Sequence, residues 1–119
     1  MPSIEELKRK TDLPVVLADD QGCIRYMNGR FEAVFGWTQK EIIGRPLSTL
    51  IPSYLHDAHH LGFSRFLTTG KPTLMDQPLK LKAVSKDGRE FEAEHVISAE
   101  RVDGRWVFGA TIRPLQQNA

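Results

Sequence analysis

Four histidines, one cysteine and an arginine beside an aromatic residue are the groups in this sequence best suited to chemistry. Three of the histidines, His56, His59 and His60, fall in a stretch whose start at Pro52-Ser53 and end at Gly70-Lys71-Pro72 predict a helix to about Thr69. On that helix His59 shares a face with Leu55, Phe63 and Phe66, so its imidazole turns inward among apolar groups. Two readings follow: a core or rim histidine satisfied by a backbone carbonyl, or a neutral nitrogen available as a ligand. His56 and His60, four apart, have the spacing of a zinc clamp. Asp57 points elsewhere on the helix and no third ligand is at hand, so a solvated surface pair is the better reading.

His95 stands alone in a different pattern. Phe91, Ala93, His95 and Ile97 alternate with Glu90, Glu92 and Glu94, which predicts a strand with His95 on its apolar, inward face. A buried imidazole there needs a hydrogen-bond partner or a metal. Met75, Gln77, Leu79 and Leu81 alternate in the same way and are expected either to line an interior or to be plain core. Arg65 suits a ligand carboxylate at a pocket mouth, or is a surface charge. Trp106 and Phe108 are expected as pocket wall or as an apolar outer sheet face used in dimer contact.

The elements that position these groups are short. Ser3 and Glu6 form a capping-box pattern, so residues 3–10 read as a polar leading helix carrying little core. Apolar runs at Pro14 to Ala18 and Cys23 to Met27 flank Asp19-Asp20-Gln21-Gly22 and predict a hairpin. Asn28 caps a short helix bearing Phe31, Val34 and Phe35 that closes at Gly36. A second capping box, Thr38 to Glu41, opens a helix that buries Ile42 and Ile43 and stops at Gly44. Leu47 to Ile51 is a further apolar segment. Strands are expected over Thr73 to Val84, Glu90 to Arg101 and Trp106 to Arg113, with Asp-Gly turns at Asp87-Gly88 and Asp103-Gly104. Strand, strand, helices, strand, strand, strand gives an α+β fold: one antiparallel sheet with helices grouped on one face.

Gly22 to Asn28, Phe35 to Gly44, and Ser85-Lys86-Asp87-Gly88 with Phe91 resemble PAS domains in order and spacing, from about Leu13 to Leu115. The resemblance implies a five-stranded sensory domain over residues 13–115. Residues 1–12 would be a leading helix, and 116–119 the start of a linker to an output domain. Within the family, Leu50-Ile51-Pro52, Ala58-His59-His60 and Ser64-Arg65-Phe66 look like the haem-binding PAS domains of rhizobial oxygen-sensor kinases and of a bacterial haem-regulated phosphodiesterase. That likeness implies haem b with His59 as axial ligand and Arg65 at a propionate. The cofactor site would include Phe63, Met75, Gln77, Leu79, His95 and Ile97. The sequence departs from it at two distal positions. Leu79 stands where those sensors carry the arginine that holds bound oxygen, and Gln77 where the phosphodiesterase carries a methionine ligand. His95 replaces an aliphatic residue of that side, as a second axial ligand, as a hydrogen-bond donor to bound gas, or as an ordinary buried histidine. The alternative is a haem-free domain that binds another small molecule or acts through dimerisation.

Composition narrows the partners. Sixteen Lys and Arg against fifteen Asp and Glu leave a net charge of +1 on 119 residues, so neither nucleic acid nor an anionic membrane is favoured. The only cysteine, Cys23, makes no internal disulfide, which fits a reducing cytoplasmic setting. Leu47 to Ile51 holds no cysteine where covalent flavin photosensors of this fold carry one, which disfavours that chemistry. With no paired acid and base and no phosphate cradle, the chain is expected not to be an enzyme, but a homodimeric sensor module.

Overall fold

Local signals decide where the chain turns, and the strands between those turns assemble into one sheet. The computed structural model describes residues 3–58 and 78–115. Its elements are α1 (Ile4–Arg9), β1 (Val15–Ala18), β2 (Ile24–Met27), α2 (Gly29–Phe35), α3 (Gln39–Ile42), 3-10 turns at Leu47–Leu50 and Ser53–Leu55, β3 (Leu79–Val84), β4 (Glu90–Val102) and β5 (Arg105–Pro114). The sheet is antiparallel in the order β2-β1-β5-β4-β3. The Asp-Gly turn between β4 and β5 has positive φ at both Asp103 and Gly104, the conformation a two-residue hairpin requires. Of the strand expected over Thr73 to Val84, Leu79–Val84 is present as β3 and Pro78, which has no N–H to give to a ladder, is not paired; residues 73–77 lie outside the described residues.

Asn28 ties the first hairpin to the helices. Its Oδ1 accepts from the N–H groups of Val15 and Phe31, at 3.0 Å each. Its Nδ2 donates to the carbonyls of Lys10 and Leu13. One cap residue thereby satisfies α2, β1 and the segment that leads into the sheet.

The inner face of the sheet carries Val16, Met27, Ala83, Phe91, Ala93 and Ile112, packed against Phe31, Phe35, Ile42 and Leu50 from the helical side. Phe31 and Phe35 stack with centroids 4.3 Å apart, and Phe91 meets Phe35 at 5.4 Å.

The leading helix corrects an expectation. It lies on the opposite, outer face, with Ile4 and Leu7 buried against Val15 and Leu17. Leu7 is 1% exposed, a burial that contributes about 1.5–3 kcal/mol. Polarity at Glu5, Glu6, Lys8 and Arg9 conceals two apolar residues three apart, enough for one contact stripe on a six-residue helix. The notch they fill is at Gly109, where a Cβ would stand 2.5 Å from Leu7 Cδ1 and 2.8 Å from Leu17 Cδ2. The backbone N–H of Ile4 donates to Glu100 Oε1 at 2.9 Å and pins the start of the helix to β4.

Candidate functional site

Residues directly opposed in neighbouring antiparallel strands share a face. His95 of β4 stands between Leu79 of β3 and Ile112 of β5, and Ile112 belongs to the inner core. His95 is therefore on the inner face, as its alternation with the glutamates predicts. Ile97 follows on the same face opposite Ala110, then Ala99 opposite Phe108. The glutamates take the outer face: Glu92 pairs with Lys80 at 3.1 Å and Glu94 with Arg113 at 3.0 Å.

The imidazole of His95 is held at one nitrogen. Nδ1 lies 3.2 Å from the carbonyl oxygen of Ala93. A carbonyl only accepts, so Nδ1 carries the proton and donates it; in the neutral ring the lone pair is then on Nε2. Desolvation by burial lowers the pKa of His95, with the Ala93 hydrogen bond pulling the other way, so the neutral form holds near pH 7. This is the protonation state a metal-binding imidazole adopts when a backbone carbonyl orients it.

Burial divides this face. Around Phe91 and Ala93, the side chains of Ala83, Phe31, Phe35 and Ile42 are at most 1% exposed. Leu79, His95, Ile97 and Ala110 are only half-buried. Leu81, on the same face of the edge strand, is 43% exposed, so it is neither core nor an enclosed wall. Phe108 is buried on the inner face and packs with Ala99 and Trp106, which assigns the aromatic pair to the interior side rather than to the outer face. The guanidinium of Arg101 sits over the Trp106 ring at 5.1 Å.

Of the predicted site residues, the structure brings His95, Leu79 and Ile97 together. His59, Phe63, Arg65, Met75 and Gln77 lie outside the described residues, as does His60. The chain leading to them is a 3-10 turn at Ser53–Leu55 that becomes helical over residues 56–58. His56 Nε2 is 2.7 Å from the carbonyl oxygen of Ile51, which accepts its proton, so that nitrogen is committed to the backbone. Among the described residues no three histidines, cysteines or carboxylates converge on a metal position. A surface cleft of about 440 Å³ lined by Lys8, Lys10, Tyr26, Asn28 and Arg30 contains none of the predicted site residues. No helix of the described residues is long and apolar enough to cross a membrane.

Sequence reasoning missed the clasp that closes the packed half. Lys86, in the β3–β4 turn, donates from Nζ to Glu41 of α3, and its backbone N–H donates to Phe35 O at 2.8 Å. Two cations approach Trp37, Arg45 at 4.8 Å and Lys86 at 5.6 Å from its ring centroid. The Lys-Asp-Gly run signalled a turn; where that turn docks depends on residues 45 positions away in sequence.

Similarity to known proteins agrees with this architecture. An uncharacterized protein of Azorhizobium caulinodans is 38% identical over 102 residues, 85% of this chain and 14% of its own length. The sensor protein FixL of Bradyrhizobium diazoefficiens is 25% identical over 104 residues, 87% of this chain and 21% of its own length. The chain thus spans about a fifth or less of these curated relatives. Among solved structures, a PAS domain from Desulfitobacterium hafniense superposes with a TM-score of 0.73 at 16% identity, covering 89% of this chain and 95% of that one. The Rhodobacter sphaeroides LOV protein gives 0.68 at 14% identity, covering 92% and 62%. The PAS fold family matches residues 5–115. With the five-stranded antiparallel sheet, α2 and α3 packed on its inner face and this match over nearly its whole length, the chain belongs to the PAS family of sensory domains.

Proposed function

We propose that this PAS domain is a cofactor-based sensor that holds haem b through His59 and reports gas binding or redox state to an output domain. The observation that carries the reading is the inner face of β4 and β5 around His95. It is apolar, with Leu79, His95, Ile97 and Ala110 half-buried beside the core residue Ile112, and it carries a neutral imidazole whose second nitrogen is basic. Such walls and such a donor suit an iron porphyrin. Support also comes from the relative FixL, whose name identifies a sensor, and from the likeness of Ala58-His59-His60 and Ser64-Arg65-Phe66 to haem-binding PAS domains. When bound, haem supplies an iron centre whose ligation and oxidation state vary with the gas or reductant present.

The protein's share of the work is to hold, shield and relay. Leu79 and Ile97, half-buried beside His95, would present hydrocarbon to the group and shield it from water, next to Ile112 of the packed core. Arg65 offers a guanidinium to a propionate. The same strands carry the leading helix on their other side, through Leu7 in the Gly109 notch and Ile4 on Glu100. A change that shifts β4 against β5 therefore alters the seat of α1, and a helix so seated can pass the change to a second copy or to an output domain.

Titration of the purified protein with haemin tests this. A sharp Soret band distinct from free haemin is expected, and His59→Ala should abolish it. A spectrum equal to free haemin rejects haem and leaves a haem-free module that binds another small molecule or acts through dimerisation.

A further inference from the structure

We infer that the cleft between the end of α1 and the start of α2 binds a small multivalent anion, carrying phosphate or carboxylate groups, that bridges the two helices. The site is separate from the face around His95, and the inference does not depend on haem. The cleft has a volume of about 440 Å³, within the range of small-molecule sites. Lys8, Lys10 and Arg30 line it together with Tyr26, and no acidic residue does. Glu6, Asp12 and Glu32, each two residues from one of these cations, are outside the lining.

Charge and hydrogen bonding both select for an anion. Arg25, Lys80, Lys86 and Arg113 are paired with carboxylates, whereas among the described residues no carboxylate lies within ion-pair distance of Lys8, Lys10 or Arg30. Three like charges around one hollow repel each other, and a multivalent anion among them replaces that repulsion with attraction. The backbone oxygens that would repel an anion are already occupied. Leu7 O accepts from the Lys10 N–H at 3.2 Å and Lys8 O from the Tyr26 hydroxyl at 3.2 Å. Lys10 O accepts from Asn28 Nδ2 at 3.1 Å and Thr11 O from Arg30 Nε at 3.3 Å. The last bond also braces the guanidinium and leaves its Nη groups to donate, the arrangement that suits phosphate and carboxylate oxygens. Lys8 and Lys10 belong to the end of α1 and Arg30 to the first turn of α2. An anion spanning them fixes the end of α1 that lies away from the bond between Ile4 and Glu100, so the helix on the outer face is held at both ends.

Titration of the purified protein with sodium pyrophosphate, and separately with sodium citrate, tests this at constant ionic strength, with sodium chloride making up the difference. Backbone amide signals of residues 8–11 and 29–30 are expected to shift saturably, with one anion per chain, and hydrogen exchange in α1 to slow. Lys8→Gln combined with Lys10→Gln should weaken binding by about tenfold, the effect of two exposed charge pairs. Both substitutions leave the backbone oxygens and their bonds to Tyr26 and Asn28 in place, so the unfolding midpoint in anion-free buffer should match that of wild type. Lys82→Gln, on the outer face of β3 and outside the cleft, should bind as wild type does. Shifts that follow ionic strength alone, or equal weakening by Lys82→Gln, would reveal general charge attraction and overturn the inference. Saturable binding with unchanged exchange in α1 would overturn the bridge between the helices.

Discussion

One sheet face carries two unlike halves. Around Phe91, the inner face is closed by stacked Phe31 and Phe35 with Ile42, and these side chains with Ala83 and Ala93 are almost without exposure. Four residues further along β4, the same face at His95 and Ile97 is half-buried, with Leu79 and Ile112 on the strands either side of the histidine. The strands, their register and their alternation are common to both halves. What differs is the cover: α2 and α3 fill the first with aromatic and branched side chains. The second keeps accessible surface beside a group able to do chemistry. On the proposed reading, stability and ligand binding would fall to adjacent lengths of the same strands, so that the second could change while the first holds the sheet together.

The largest effect should come from opening the closed half. Phe35 is fully buried, stacked on Phe31 and tilted against Phe91. Phe35→Ala is expected to cost about 3–5 kcal/mol in urea unfolding, because the transfer loss and the cavity add. The matching change in the other half, His95→Ala in the apoprotein, removes only a half-buried ring with one local hydrogen bond. It should cost about 1 kcal/mol or less. Equal losses at the two positions would break the distinction.

A smaller effect carries the comparison through the sheet to its outer side. Gly109→Ala would place a Cβ within 2.8 Å of both Leu7 and Leu17, and overpacking of this kind costs about 1–3 kcal/mol. Leu7 is on a six-residue helix that can move, whereas Leu17 is in β1. The strain should therefore be relieved by lifting α1. Hydrogen exchange in α1 is expected to quicken while the Phe31–Phe35 region stays protected. Leu7→Ala combined with Gly109→Ala should cost less than the two separate losses added, since the clashing atom is already gone. Full additivity would show that α1 is not seated as described.

How much of this was legible in the sequence follows the range of the interactions. Caps and turns are local, so Ser3, Asn28, Thr38 with Glu41, and both Asp-Gly turns announced themselves. Alternation set the facing of His95, because a strand has a period of two and the glutamates marked the other face. The seat of α1 was hidden because a polar six-residue helix shows only two apolar residues, and the glycine that receives them is about a hundred positions away. The tautomer of His95 was equally out of reach, since it depends on where the Ala93 carbonyl points. Leu81 showed the limit of alternation, which gives the face of an edge-strand residue but not what lies over it.

The smallest prediction concerns the clasp over the closed half. Glu41 accepts from Lys86 Nζ, from the Thr38 hydroxyl and from the Thr38 N–H. Led by the Lys86 bond, these hold its pKa down, from 4.5 to about 2. A carboxyl with a depressed folded-state value stabilises the fold above its unfolded pKa, and that stabilisation fades as pH falls toward the folded value. Wild type should therefore exceed Glu41→Gln in stability at pH 7, with the gap closing between about pH 4.5 and 2. Both groups are largely exposed, so the gap should be small and should shrink further in salt. The spectral partition matters more than its size. Trp37 lies against Lys86, so its fluorescence should follow that acid transition, while the histidine signals of His95 on the other half should not shift with the Glu41 substitution. If His95 responded to Glu41→Gln as strongly as Trp37, the two halves would be one cooperative unit and the division of labour between them would not hold.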